Sequence, residues 1–295
     1  MMEELLSKLL KPPAPSLHTC VGTVLGQPEL DSLRTSNFDE YATRLLEHTR
    51  APSGVVVTSA WKRGPTPKTV AFASGLSFER VCVLLRRALL RLNTCVDAED
   101  ALAARADLKQ AAKEAEAFFS GICDDVIVEE MPEVKAEEIR KAAKLCELVA
   151  HCCASKLVAD SATRAGLFRS IAEVAASTAS VCPIVDDDEA LMFDVALRAL
   201  SKYCETQAHA LSASLHFDGG KIEAAAACAR RAADVARKAH LEHDWFTADF
   251  VDELEKNAKR YEFVKAKTQG TTTTKKTGVV VPELHLCAAV PLPQI

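Results

Sequence analysis

The sequence predicts a mainly all-α protein with a small accessory β-sheet. Three observations carry this expectation. From about residue 77 onward, apolar side chains return with the 3.6-residue period of helices rather than the period of 2 of strands. Alanine is abundant while aromatics make up only 5% of the 295 residues, a composition suited to helices packed closely on one another. The periodic segments are separated by Pro, Gly and Asp, the residues that stop or start helices.

Taken in order, residues 1–11 form a short amphipathic stretch with Leu5, Leu6, Leu9 and Leu10 at helical spacing, stopped by Pro12, Pro13 and Pro15. The β-branched run 19–25 (TCVGTVL) reads as a strand, and 54–61 (GVVVTSAW) as the clearest strand of the chain. Between them, Asn37 or Asp39 can cap a helix running to about His48. A loop at 64–68 holds two prolines. Ser77 is placed to cap a helix over 77–94, with Arg80 where a full capping box has Glu. That helix is apolar on most sides, which predicts burial. Further helices are expected over about 97–122, 135–158, 161–181, 187–217, 221–241 and 248–265, with Pro132 opening one, Pro183 separating two and Gly219–Gly220 closing the longest. Asp186, Asp187 and Asp188 suit a helix start, where carboxylates meet the positive end of the macrodipole. The 187–217 and 221–241 pair reads as a solenoid-type hairpin whose second helix has the alanine-rich face of a tetratricopeptide-like unit. After residue 265 the polar run 268–277 (TQGTTTTKKT) reads as a mobile loop, followed by 279–281 and an extended, alternating apolar tail.

Composition narrows the function. Hydrophobic residues make up 48% of the chain and charged ones 26%, enough for a sizeable core under an ordinary soluble surface. A net charge of −5 argues against a nucleic-acid partner. The acidic start, Glu3 and Glu4, argues against a secretory leader, and no run of about 18 uncharged apolar residues suggests a membrane span. The eleven cysteines sit mostly inside helical patterns, as small buried residues would, and are expected to be reduced thiols in a cytoplasmic protein. At most a peripheral, indirect membrane association is expected, because Lys8 and Lys11 only balance the two glutamates of the first stretch.

Motifs for chemistry are few. His151, Cys152 and Cys153 are adjacent, but neighbouring helical residues point about 100° apart and do not converge on one ion. His240, His243 and Asp244 fall at a helix end, where histidine suits the dipole. There is no Gly-rich phosphate loop, G-x-S-x-G or H-E-x-x-H. No catalytic, cofactor or metal residue is expected, and an enzyme built on a cysteine nucleophile is the weakest of the readings.

Several segments nevertheless resemble one family. The run 76–87 (LSFERVCVLLRR) follows a short strand ending in Trp61-Lys62 and supplies Phe78, Glu79, Cys82, Val83 and Leu84. It is followed by 111–119 (AAKEAEAFF), the hairpin helix 221–239, and a closing passage with Leu254-Glu255-Lys256, Tyr261-Glu262-Phe263-Val264 and Val281-Pro282. In order and spacing these resemble the Bro domain family, the Alix-like and Brox-like proteins, and in extent the Brox-like members most. The resemblance runs from about Pro12 to Pro293. It implies a single domain over 1–295, organised as an N-terminal extension (1–15), a strand, loop and helix lead-in (16–75), a helical solenoid (76–266), a mobile loop (267–278) and an extended tail (279–295). The solenoid is expected to be boomerang-shaped. It further implies a non-enzymatic adaptor that binds the C-terminal amphipathic helix of an ESCRT-III subunit in endosomal sorting or membrane remodelling. The chain departs from the family in a lead-in shorter by roughly one helix and in lacking a proline-rich extension and a V-shaped coiled coil. Its end, Leu-Pro-Gln-Ile, leaves Cys287 too far back for a prenylation motif.

By order and spacing, the family's patch-bearing helix falls on 135–158. Its apolar residues form two stripes, Ile139, Ala142, Cys146, Val149, Cys153 and Leu157 on one side and Leu145, Leu148 and Cys152 on the other. A helix that only covers a core needs one stripe, so the second needs a second cover. That cover is either a neighbouring helix of the solenoid or a partner helix lying in an open groove. The groove reading makes Leu145, Leu148, Cys152, Lys144 and Val149 the partner-binding residues. Lys144 and Glu147 stand where relatives carry apolar or small polar residues, which keeps open a divergent scaffold of the same fold binding a different, cytoskeletal or nuclear-envelope, partner.

Overall fold

The structure, a computed structural model, describes residues 16–20, 28–47, 58–62, 70–74, 76–93, 95, 97–121, 134–179, 192–242, 246–270 and 292. The expected 1–11 stretch, the 64–68 loop, Pro132, Pro183, the Asp186–Asp188 run, His243, Asp244, Cys287 and all but one residue of the tail lie outside them.

Three short strands form one antiparallel sheet in the order β1 (Ser16–Cys20), β2 (Thr58–Lys62), β3 (Val70–Ser74). Trp61 sits opposite Leu17 on one side and Ala71 on the other, and the β1–β2 register shifts between Leu17 and Thr19. The first strand therefore begins three residues ahead of the expected 19–25 run, and β3 was not expected at all.

Nine helices are described: α1 (Pro28–Ser36), α2 (Phe38–Glu47), α3 (Leu76–Asn93), α4 (Ala98–Gly121), α5 (Ala136–Ser155), α6 (Ser161–Thr178), α7 (Met192–Asp218), α8 (Ile222–Glu242) and α9 (Ala248–Gly270). Their starts follow from local chemistry. Asn37 Oδ1 accepts from the Glu40 amide at 3.3 Å, Asp97 Oδ1 from the Asp100 amide at 3.0 Å, and Asp160 Oδ2 from the Thr163 amide at 2.7 Å, each satisfying a donor that the first turn leaves open. The Asp160 carboxyl is held below its usual range by the Thr163 hydroxyl and amide. Ser77, by contrast, is not a cap: α3 already starts at Leu76, so Ser77 lies within the first turn. At the other end of α7, Gly220 takes φ +72°, the Gly220 amide donates to Phe217 O and the Lys221 amide to His216 O. This is the two-bond closure that ends a helix on a left-handed residue, and it turns the chain into α8. The last helix runs to Gly270, past the expected boundary at 265–266, so Thr268 is helical rather than loop.

These elements form two compact units. The first holds the sheet, α1 to α4, α5 up to Ala150 and the first turn of α7. Its centre is α3, where Phe78, Val81, Cys82, Val83, Leu84, Leu85, Ala88, Leu89 and Leu92 are all buried. Buried Tyr41 donates its hydroxyl to buried Glu79 at 2.5 Å, which gives the glutamate of the 76–87 run a structural purpose. The antiparallel pairing of α3 with α4 is fixed by Arg80–Glu114 at 2.8 Å and by Arg87–Asp107 at 2.6 Å. The second unit holds α5 from His151, α6, α7 from Val195, α8 and α9. Here α8 buries Ala225, Ala226, Ala229, Ala232, Ala233, Ala236 and Ala239, so that neighbouring helices approach closely. Arg237 meets Glu255 at 2.7 Å and Arg230 meets Glu262 at 2.5 Å, a constant antiparallel register of α8 against α9. No described helix is long and apolar enough to cross a membrane.

Candidate partner-binding site

The expected binding helix forms as α5, but its second apolar stripe is not an open groove. Leu145 is 1% exposed, Leu148, Val149 and Cys152 are fully buried, and only Lys144 of the five expected residues reaches solvent. The cover over Cys152 is a neighbouring helix: its Sγ lies 3.5 Å from Cys204 Sγ of α7. Of the other stripe, Ile139, Ala142, Cys146 and Cys153 are buried, while Leu157, just past the helix end, is 87% exposed. Of the two covers that the sequence left open, the structure shows the helical one at Cys152 and leaves no apolar side chain of the second stripe at the surface.

What α5 does present to solvent is a charged cleft shared with α4, of about 470 Å³. Arg105, Lys109, Ala112, Lys113 and Glu116 line it from α4, and Arg140, Ala143, Lys144 and Glu147 from α5. The spacing is helical on both walls. Arg105, Lys109 and Lys113 follow at four-residue intervals on α4, as Arg140 and Lys144 do on α5, so each set projects as one row. The floor is small: Ala112 and Ala143 are the apolar lining residues, both buried.

The cations are not equally satisfied. Arg105 bridges to Glu147 at 2.9 Å, Lys144 meets the other oxygen of Glu147 at 2.6 Å, and Arg140 pairs with Glu116. Lys109 and Lys113 are exposed and make no ion pair among the described residues. Five cations against two carboxylates give the cleft a positive field in a chain of net charge −5. Of the five residues expected to bind a partner, Lys144 alone lines this cleft, although the sequence placed it beside an apolar groove. Arg105, Lys109, Lys113 and Arg140 were not expected at a site, although their four-residue spacing was there to read.

Seven of the described cysteines are buried. Burial pushes the Cys146 thiol up, and burial together with the adjacent Cys152 pushes Cys204 well up, the opposite of what a thiolate nucleophile needs. His240 Nδ1, near the end of α8, faces the carbonyl oxygen of Phe246 just before α9, a structural contact. His151 is buried, and no metal-holding group of three or more His, Cys, Asp or Glu occurs among the described residues.

No protein-family model matches the sequence, and neither does any curated protein. Solved structures do match. An ALIX structure in complex with the SIVmac239 PYKEVTEDL late domain aligns with a TM-score of 0.57 and 14% identity over 91% of this chain, which spans 43% of that one. The ALIX BRO1–CHMP4C complex aligns with a TM-score of 0.56 and 12% identity, covering 95% of this chain and 96% of that one. A structure on endosomal targeting by the Bro1 domain aligns with a TM-score of 0.53 and 16% identity, covering 99% and 88%. The chain therefore has the fold of the Bro1 domain, as the resemblance in its motifs implied. These three structures do not single out the Brox-like branch.

Proposed function

We propose that this protein is a non-enzymatic adaptor that uses its Bro1-domain fold to bind the C-terminal amphipathic helix of an ESCRT-III subunit, in endosomal sorting or another membrane-remodelling step. The observation that carries the reading is the match over nearly the whole chain to a Bro1 domain whose solved structure holds the ESCRT-III subunit CHMP4C. The α4–α5 cleft, lined by both helices with Ala112 and Ala143 at its floor, is the surface assigned to such a helix on this reading. On this reading Lys144 touches the partner directly, while Leu145, Leu148, Val149 and Cys152 are buried residues of the helix that carries it. The first experiment is calorimetric titration of the whole chain with a C-terminal helix peptide of CHMP4C. Saturable binding, lost in Lys144→Glu with unchanged circular dichroism, is the expected result. A well-folded chain that binds no such peptide overturns the reading.

A second reading is a scaffold of the same fold that binds a different, cytoskeletal or nuclear-envelope, partner. The observation in its favour is the character of the cleft. The exposed large apolar side chains among the described residues, Leu90, Leu157, Phe217, Leu241 and Phe263, all lie outside it.

A further inference from the structure

We propose that the α4–α5 cleft selects its occupant by charge: it takes a helix that turns a row of carboxylates into the cleft, with Lys109 and Lys113 as the selecting residues. The inference rests on reading the cleft as the partner site and adds the chemistry of the partner.

Three features lead to it. The first is the division of labour among the cations. Arg105, Arg140 and Lys144 already hold carboxylates of this chain, so their charge is largely spent on joining α4 to α5. Lys109 and Lys113 have no such partner among the described residues, and each leaves one positive charge at the lip of the cleft. The second is their spacing. Two lysines one helical turn apart on α4 match two carboxylates one turn apart on an adjacent helix, a register that scattered surface lysines do not provide. The third is the floor. With alanine at 112 and 143, an incoming helix backbone settles close, within reach of the lysine heads, and gains little from apolar burial. Charge is then the main source of discrimination.

The same features disfavour other polyanions. No aromatic side chain lines the cleft to stack a base, and Glu116 and Glu147 stand among the cations, where a continuous phosphate chain is repelled. A helix places its carboxylates one by one and avoids them.

The test uses the whole chain and a labelled alanine-based helix of about 18 residues with Glu at i, i+4 and i+8 on one face, beside a twin with Gln at those positions. Fluorescence anisotropy is expected to show binding of the Glu helix about tenfold or more tighter than its twin. The affinity should fall by about tenfold as NaCl is raised from about 50 to about 500 mM. Lys109→Glu/Lys113→Glu should abolish binding of the Glu helix and accept a Lys-bearing twin instead, with an unchanged melting curve, since both positions are exposed. Equal affinity for the Glu and Gln helices overturns the proposal, as does an unaffected double variant. So does stronger binding, through the same lysines, of phosphatidylserine vesicles or single-stranded DNA. The CHMP4C peptide run in the same assay separates the two levels. If it fails while the Glu helix binds through Lys109 and Lys113, the ESCRT-III reading falls and the charge inference stands. If it binds without dependence on salt or on the two lysines, the ESCRT-III reading stands and the charge inference falls.

Discussion

The two faces of α5 meet opposite surroundings. On one side of α5, Lys144 looks into the charged α4–α5 cleft, and on the other, one residue on, Leu145 is buried in the core. A helix advances about 100° per residue, so neighbours in sequence serve different environments. In the second unit α8 is divided in the same way but uses its charged face differently: it buries mainly alanine, and its exposed Arg230 and Arg237 pair with α9 and fix register instead of lining a cleft. The difference teaches where function and stability separate. In the first unit a charge can be changed without touching the core. In the second, the close packing itself is the design.

The strongest way to break that contrast is to exchange the roles of the two faces. Leu145→Asp buries a carboxylate with no partner and is expected to cost about 3–5 kcal/mol, enough to unfold a marginal domain. Thermal melting and far-ultraviolet circular dichroism check it. A variant that stays folded but loses partner binding would return Leu145 to an accessible groove. Lys144→Glu, one residue away, should leave the melting temperature almost unchanged. Next in size is Ala232→Leu in the buried face of α8, where three extra carbons must be forced between helices. The expected cost is about 1–3 kcal/mol, read as a lowered midpoint in urea unfolding. A neutral result would mean that the alanine face is looser than its burial indicates.

The same contrast explains what the sequence could and could not reveal. Periodicity placed the helices from α3 to α9 within a few residues, because apolar residues at 3.6-residue spacing carry their own signal. It missed α1, whose only apolar residues are Pro28, Leu30 and Leu33, and β3, a five-residue strand stabilised by pairing with β2 rather than by its own pattern. The site was half legible. Two apolar stripes on α5 called for cover on both sides, and apart from Leu157 both stripes are buried, but sequence cannot distinguish a neighbouring helix from a visiting one. That Cys152 meets Cys204, fifty-two residues away, is a tertiary fact. The cationic rows failed to register for another reason: lysines at four-residue intervals are ordinary on a solvated helix face, and only the juxtaposition of α4 and α5 turns them into a cleft.

A pH titration sharpens the comparison from the side of the second unit. His209 on α7 is buried, its Nδ1 has no hydrogen-bond partner among the described residues, and its Nε2 lies 4.0 Å from Glu205 Oε1. Burial lowers its pKa to about 4, with Arg231 of α8 and Arg169 of α6 acting in the same direction and Glu205 against them. Between the unfolded value near 6.5 and the folded value, the unfolded chain binds a proton that the native chain refuses. Stability from this residue is therefore fully present above about pH 6.5, declines as the pH falls, and reaches its floor below about pH 4. Allowing for solvent screening, the loss is about 2 kcal/mol. Urea unfolding at a series of pH values should show this slope in the parent chain and a flatter one in His209→Gln. An identical slope in both would assign the acid sensitivity to other groups.

The smallest expected effect tests whether the cleft is independent of the ends of its own helices. Asp97 caps α4 by accepting from the Asp100 amide, two turns before Arg105 enters the cleft. Asp97→Ala removes that acceptor and should cost about 1 kcal/mol through fraying of the first turn. Fraying of that kind fades within a turn, and Arg105 is held by its own bridge to Glu147. Affinity for a cleft-binding helix should therefore stay within about twofold of the parent while the melting temperature falls. If affinity fell together with stability, the two rows of cations would be aligned by the whole length of α4. Cleft and core would then be one mechanical unit, not two faces of the same helix.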